Sequence, residues 1–270
     1  MNPPTGQHYS KVLITGASSG IGLALAHQFL GRGFECFLTG LDHEELAGAV
    51  VSLRIEFPEA SMLQMAIDLS TVGAAIQLYQ HCANLDWFPD VLINNAGFGT
   101  YGYITEISME QELAMIQLHV VELYTLTRLF MVPMLTKGHG QVINISSISA
   151  FQPNALLATY GATKAFVYQF TRALQYELKL QQSRVRAMAV CPTPVRTNFG
   201  KNTDLKKTKL FQSWMTVDVE HVATSIMKAM DAGADHVVPG RLFHWLSKFS
   251  KRLPERLQMW MAYQHLKPNA

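Results

Sequence analysis

The chain has 270 residues, 49% of them hydrophobic, with 22 Lys and Arg against 20 Asp and Glu and a formal charge of +2. A balance this near neutral offers no concentrated basic face for nucleic acid, and no uninterrupted apolar run approaches the ~18–20 residues of a membrane span. Cys36, Cys82 and Cys191 are odd in number and lack CxxC spacing, which argues against a disulfide framework or a cysteine metal site and points to a reducing, cytoplasmic setting. The polar first ten residues show no secretory signal.

No repeat, low-complexity tract or Gly/Ser linker divides the chain. The expected organisation is an extension over 1–10, one α/β domain over 11–240 and a helical tail over 241–270. Short β-rich runs fall at 11–15, 36–39, 62–67, 91–94, 141–146, 185–190 and 236–238. Most are continuous apolar runs, as in strands covered on both faces. Helical patterns lie between and after them, at 20–32, 43–56, 71–84, 108–136, 157–181 and 218–231. This alternation predicts a doubly wound parallel sheet with helices on both faces, which binds ligands at the carboxyl ends of its strands.

The first strand runs into Thr15-Gly16-Ala17-Ser18-Ser19-Gly20-Ile21-Gly22. Gly16 suits a tight turn, while Gly20 and Gly22 keep Cβ atoms away from an approaching pyrophosphate and let the next helix pack closely. The helix start, with Ser18, Ser19 and Ile21, offers backbone N–H groups to phosphates. Standing alone this is a glycine turn that need bind nothing; between a first strand and an amphipathic helix it reads as a dinucleotide site.

After the second strand, Leu41 stands where an adenosine-ribose contact is first sought, and Asp42 follows. An acid there accepts from ribose hydroxyls and disfavours a 2′-phosphate. With no Arg or Lys in either loop, the cofactor is NAD or NADP with a lean to NAD, although Asp42 equally suits a helix N-cap. After the third strand, Asp68 and Leu69 are placed for the adenine edge, unless Asp68 caps helix 71–84. The fourth strand leads into Asn95-Ala96-Gly97 and the fifth into Ser147. Downstream, Tyr160 and Lys164 share one helical face. The ammonium is expected to lower the phenol pKa from ~10 toward neutrality, fitting it for proton transfer, while Ser147 hydrogen-bonds the substrate oxygen.

Together the glycine loop 15–22, Asp68, the 94–97 segment, Ser147, the Tyr160/Lys164 pair and Pro192-Thr193-Pro194-Val195-Arg196-Thr197 resemble the short-chain dehydrogenase/reductase family over about residues 10–240. The resemblance implies a single-domain Rossmann fold with a seven-stranded sheet and hydride transfer between a nicotinamide and a carbonyl or alcohol. It implies Tyr160 as acid/base, Ser147 orienting the carbonyl, and Lys164 serving Tyr160 and the nicotinamide ribose. It also places Asn94, Asn95, Ala96 and Gly97 along the cofactor cleft and Pro192, Val195 and Thr197 beside the nicotinamide, Thr197 at the carboxamide. A homodimer or homotetramer packed through helices 108–136 and 157–181 is implied as well. Two places depart from the family pattern. The helical Asn that holds a proton-relaying water is His119 here, either structural or a catalytic substitute, and Thr193 stands where Gly is common, narrowing the nicotinamide site.

Phe98, Tyr101, Tyr103, Phe151, Phe199, Phe211 and Trp214 either surround the reacting carbon as an apolar pocket or pack in the core. Segment 195–215 has the composition of a substrate lid. In the tail, Pro254 suits a first helical position and divides two helices. There Leu242, Leu246, Phe249, Leu253, Leu257 and Trp260 recur beside Lys248, Lys251, Arg252 and Arg256. Such a tail docks on its own domain or a sister subunit, or alternatively touches a membrane surface. The expected function is an NAD(P)-dependent oxidoreductase acting on a small, hydrophobic carbonyl or alcohol, without metal. The alternative is a dinucleotide-binding regulator or scaffold without turnover; a sugar-nucleotide epimerase fits less well, because the C-terminal portion is short.

Overall fold

The computed structural model describes residues 9–195, 216–240 and 254–267. Seven parallel strands, β1 (Lys11–Ile14), β2 (Glu35–Gly40), β3 (Met62–Ala66), β4 (Val91–Asn94), β5 (Gly140–Ile145), β6 (Val185–Val190) and β7 (His236–Val237), form one sheet in the order β3-β2-β1-β4-β5-β6-β7. The order reverses direction between β1 and β4, and this switch point opens the crevice in which such sheets bind ligands. The doubly wound parallel architecture expected from the strand–helix alternation is therefore present.

The two faces of the sheet follow from strand alternation. Val12, Ile14, Leu38 and Ile93 point to one side, where α1 (Gly20–Leu30), α2 (His43–Glu56) and α7 (Val219–Asp231) bury Leu25, Phe29, Leu46 and Ile226 against them. Leu13, Phe37, Leu92 and Val142 point to the other. There α3 (Ala74–Asn84), α5 (Leu123–Lys137) and α6 (Ala158–Leu180) contribute Leu78, Phe130 and Leu178. Each large side chain so buried contributes roughly 1.5–3 kcal/mol. The stretch Met109–Lys137 is long and apolar enough to cross a membrane by composition. Its apolar residues Leu126, Phe130, Met131 and Met134 are spent on this second core.

The expected continuous helix over 108–136 is instead α4 (Met109–Ile116) and α5 joined by a π-turn at Gln117–Glu122. The extra residue in that turn brings both His119 and Glu122 inside. Glu122 then caps α3, accepting from the N–H groups of Gly73 at 3.2 Å and Ala75 at 2.6 Å.

A buried polar ladder ties the strand ends to the helices. Asn94 donates to Asn144 Oδ1 at 2.8 Å and Thr127 Oγ1 at 3.1 Å, and Asn144 donates to Thr171 Oγ1 at 2.9 Å. Each buried polar group left unpaired costs roughly 1–3 kcal/mol. Asn144→Ala is therefore expected to lower unfolding free energy by about 3 kcal/mol in urea titration; a loss below about 0.5 kcal/mol, typical of surface changes, would show the ladder to be dispensable.

Candidate active site

A continuous cleft of about 840 Å3 runs along the carboxyl ends of the strands. At its β1 end, Gly16 (φ +65°) and Gly20 (φ +56°) adopt the left-handed backbone that favours glycine. A Cβ on Gly16 would stand 2.8 Å from the Ala96 Cα, and one on Gly22 would meet the Gly16 carbonyl oxygen. Asn95 locks this turn, its amide donating at 2.9 Å to the carbonyls of both Thr15 and Gly16. Thr15 Oγ1 accepts in return from the N–H groups of Asn95 and Ala96 at 3.0 Å. Gly16, Ser18, Ser19, Gly20 and Ile21 line the cleft, and Gly22 packs behind them. The first turn of α1 holds no acid, and Ser19 makes no side-chain cap. Its N–H groups and dipole thus suit an anion.

Next along the cleft, Leu41 lines the wall but Asp42 does not. Its Oδ1 accepts from the Glu45 N–H at 2.8 Å as the N-cap of α2. The acid that borders the cleft there is Glu45, whose carboxylate accepts from Ser18 Oγ at 3.1 Å. Asp68 and Leu69 also line the wall. Asp68 closes the turn after β3, accepting from the N–H and hydroxyl of Ser70 at 2.8 and 2.6 Å, rather than capping a helix. Asn95, Ala96, Gly97, Pro192 and Val195 line the cleft, whereas Asn94 is withdrawn into the polar ladder. Thr39 and Thr193 line it too, and each has a buried hydroxyl with no partner among the described residues. A cradle closed to Cβ atoms, an uncapped helix start and two unspent hydroxyls fit a dinucleotide. Thr197, most of segment 195–215 and Phe199, Phe211 and Trp214 lie outside the described residues.

At the β5 end, Ser147, Tyr160 and Lys164 come together in the cleft. Ser146 Oγ donates to the Lys164 carbonyl at 2.7 Å, and Lys164 Nζ donates to the Ile145 carbonyl at 3.1 Å. These two bonds lash α6 to the end of β5. Ser147 Oγ accepts from the Ser149 N–H at 3.1 Å. Its own hydrogen bond to Tyr160 draws the phenol pKa down. Burial is the larger effect and pushes Tyr160 up to about 12, so the expected shift toward neutrality is not found. Lys164 Nζ, held at Ile145 and 5.8 Å from the Tyr160 ring centroid, does not offset that burial. Burial also brings Lys164 down to about 8.

His119 is buried behind Gly97 rather than in the lining. Thr163 Oγ1 donates to the Tyr160 carbonyl at 2.8 Å and lies 3.0 Å from His119 Nδ1. Its one proton is spent on that carbonyl, so His119 donates from Nδ1 and Nε2 is the bare nitrogen. Burial, then the charge on Lys164, holds His119 well below the ordinary imidazole range, and the ring is neutral. Nε2 has no partner among the described residues. A Cβ on Gly97 would stand 2.7 Å from Nε2 and 3.5 Å from Lys164 Nζ.

The far wall comes from the tail. Helix α8 (Glu255–Leu266), with Pro254 as its N-cap rather than its first residue, docks on its own domain and places Gln258, Met261, Ala262, His265 and Leu266 in the cleft lining. Residues 241–253, with the first expected tail helix, lie outside the described residues. Phe98 lines the cleft and Tyr101 packs beside it. Phe151 stacks edge-on with Tyr168 and is not in the lining, and Tyr103 is exposed. The cleft positions of Glu45 and α8 were not anticipated. Glu45 stands three residues after the cap Asp42, in the first turn of α2, a spacing that could have drawn attention to it.

A family model described as short chain dehydrogenase matches residues 10–208. An oxidoreductase of Staphylococcus saprophyticus is 32% identical over 194 residues, covering 71% of this chain and 81% of its own. A probable NADP-dependent dehydrogenase of Haemophilus influenzae is 29% identical, covering 80% and 85%. Among solved structures, a short-chain dehydrogenase of Sphingobium yanoikuyae in complex with NADPH superposes with a TM-score of 0.78 at 26% identity, covering 90% and 93%.

The Gly97–His119 contact is testable. Gly97→Ala is expected to cost about 1–3 kcal/mol of stability by overpacking, and His119→Ala in the same chain to recover part of it. Non-additivity of that kind in paired denaturation curves would confirm the contact; strict additivity would contradict it.

Proposed function

The chain belongs to the short-chain dehydrogenase family, and on that premise we propose that it reduces a hydrophobic ketone or aldehyde with a reduced nicotinamide dinucleotide, Tyr160 delivering the proton. The dinucleotide would lie along Gly16, Ser18–Ile21 and Asp68–Leu69, with its nicotinamide end between Gly97, Lys164 and the 192–195 segment. When bound, it supplies the hydride for the carbonyl carbon.

The observation that carries this reading is the buried phenol of Tyr160 hydrogen-bonded by Ser147 in the same cleft. As negative charge develops on the carbonyl oxygen, Ser147 can turn its proton onto that oxygen and Tyr160 can give up its own. A phenol with a pKa of about 12 is fully protonated at neutral pH, the form a reductase needs. Lys164, charged below about 8, offsets the phenolate that the transfer leaves behind. His119 acts through its neighbours: its bare Nε2 beside Gly97 suits a hydrogen bond from a water or from the Lys164 ammonium, which makes it a positioning residue.

Cofactor preference falls to NAD. Glu45 borders the cleft at the Ser18 end, and Lys164 is the only Lys or Arg in the lining among the described residues. A 2′-phosphate there would face a carboxylate with no Lys or Arg beside it in the lining among the described residues, although the Haemophilus relative is described as NADP-dependent. The exposed apolar residues Val121, Tyr124, Val132, Phe166, Tyr176 and Leu180 along the π-turn, α5 and α6 support the pairing of copies through these helices, which sedimentation would read directly.

Tyr160→Phe is expected to cut ketone reduction by roughly 10²–10⁴-fold while leaving NADH affinity, read by fluorescence titration, unchanged. Near-normal turnover would remove Tyr160 from the chemistry, and binding without turnover in the parent across a ketone panel would favour a binding-only protein. Glu45→Lys is expected to shift the NADH-to-NADPH ratio of kcat/KM toward NADPH by at least about tenfold; an unmoved ratio would show that Glu45 does not discriminate.

A further inference from the structure

Helix α3 is preceded by a glycine. Gly73 (φ +84°), its N-cap, has no side chain to offer, and the first turn of α3 carries no acid of its own. The cap comes from Glu122, 49 residues further on, whose Oε1 accepts from the Gly73 N–H and whose Oε2 accepts from the Ala75 N–H. A third donor reaches the same carboxylate: Gln117 Nε2 lies 2.7 Å from Oε1.

Capping α3 does not call for that third bond. Gln117 and Glu122 are the first and last residues of the π-turn. Five residues apart, they would stand about 140° apart around a regular α-helix of 3.6 residues per turn. A π-turn hydrogen-bonds over five residues rather than four and brings the two side chains to one side. The Gln117–Glu122 bond therefore ties the turn across its own span, while the two bonds to α3 hold it from outside. Glu122 is only 2% exposed, and a carboxylate so buried is costly unless donors meet its oxygens. Here three converge on it.

His119 sits inside that turn. Its ring centroid is 6.0 Å from that of Tyr160 and 6.2 Å from that of Phe98. Nδ1 is engaged by Thr163 at 3.0 Å, and Nε2 has no partner among the described residues. Nε2 and Lys164 Nζ flank one point beside Gly97, where a Cβ would stand 2.7 Å from the first and 3.5 Å from the second.

We propose that Glu122 is a positioning residue for the proton transfer: by clasping the π-turn to α3, it keeps the bare His119 nitrogen beside the Lys164 ammonium. The link to turnover rests on the redox reading above. Among the described residues, the titratable groups facing Lys164 are Tyr160 on its own helix, Cys191 just past β6 and His119. Of these, His119 alone is carried on the turn that Glu122 holds. A bare acceptor nitrogen favours the charged ammonium. A released ring withdraws that support and meets water, and its own titration returns toward the ordinary imidazole range.

Imidazole nitrogen-15 resonances of the ligand-free protein, followed through about pH 6–7 where an ordinary histidine titrates, read the ring directly. In the parent, His119 stays neutral, with Nδ1 protonated and Nε2 bare. Glu122→Ala removes the whole clasp. Gln117→Ala removes only the bond across the turn and leaves the α3 cap, so a lost cap cannot account for its effect. In both variants the ring is expected to titrate within that range. The pH at which ketone reduction declines is expected to fall by about half a unit in Glu122→Ala and in His119→Ala, with no further fall in the double variant. Where Glu122→Ala does not give folded protein, Gln117→Ala serves in both measurements. A ring that stays silent in every folded variant overturns the clasp. A ring that titrates while the decline keeps the parent's pH overturns the positioning role. A parent that turns over no ketone overturns the redox reading, and the resonances still decide the clasp.

Discussion

A lysine is hard to bury, and most of the site's geometry follows from how this one is held. Lys164 sits inside the protein with its carbonyl bonded by Ser146 and its ammonium bonded to the Ile145 carbonyl. Both partners belong to the end of β5, so the pair of bonds fixes the start of α6 against the strand that delivers Ser147. Tyr160, one turn earlier on α6, is carried to the serine by the same constraint. Together with the Asn144–Thr171 bond further along α6, that lashing holds the phenol–hydroxyl contact in its geometry.

The same economy operates at the other end of the cleft. Asn95 spends its amide on the carbonyls of Thr15 and Gly16, and Thr15 answers with its hydroxyl. The glycine loop is therefore held from β4, the strand across the switch point, before any ligand arrives. Pre-ordering of this kind lowers the entropic cost of binding. The helix α8 supplies a further wall, so among the described residues the cleft is lined by elements from early, middle and late parts of the sequence.

Much of this was legible in the sequence. The strands could be read because those between two helical layers are apolar on both faces, and the glycine loop because its left-handed turns at Gly16 and Gly20 admit few other residues. Ser147, Tyr160 and Lys164 could be read from their order and helical spacing. What could not be read depends on register or on distance. A π-turn and an α-turn differ by one residue, which apolar periodicity does not resolve, so the inward turn of His119 and Glu122 was hidden. Asp42 and Glu45 exchange roles according to where α2 begins: with the cap at Asp42, Glu45 is the acid left to face the cleft. The phenol pKa was misjudged because spacing shows a neighbouring cation but not the degree of burial. The place of Leu266 depends on a contact with Tyr101, 165 residues away.

The buried ammonium is also where the chemistry is most exposed to test. Carbonyl reduction under single-turnover conditions, followed between roughly pH 6 and 10, should decline as pH rises through about 8, where Lys164 loses the charge that the proposed mechanism uses to offset the tyrosinate. Tyr160, protonated until about 12, contributes no limb in that window. A rate that stays flat to pH 10 would contradict a role for the Lys164 charge in the proton transfer.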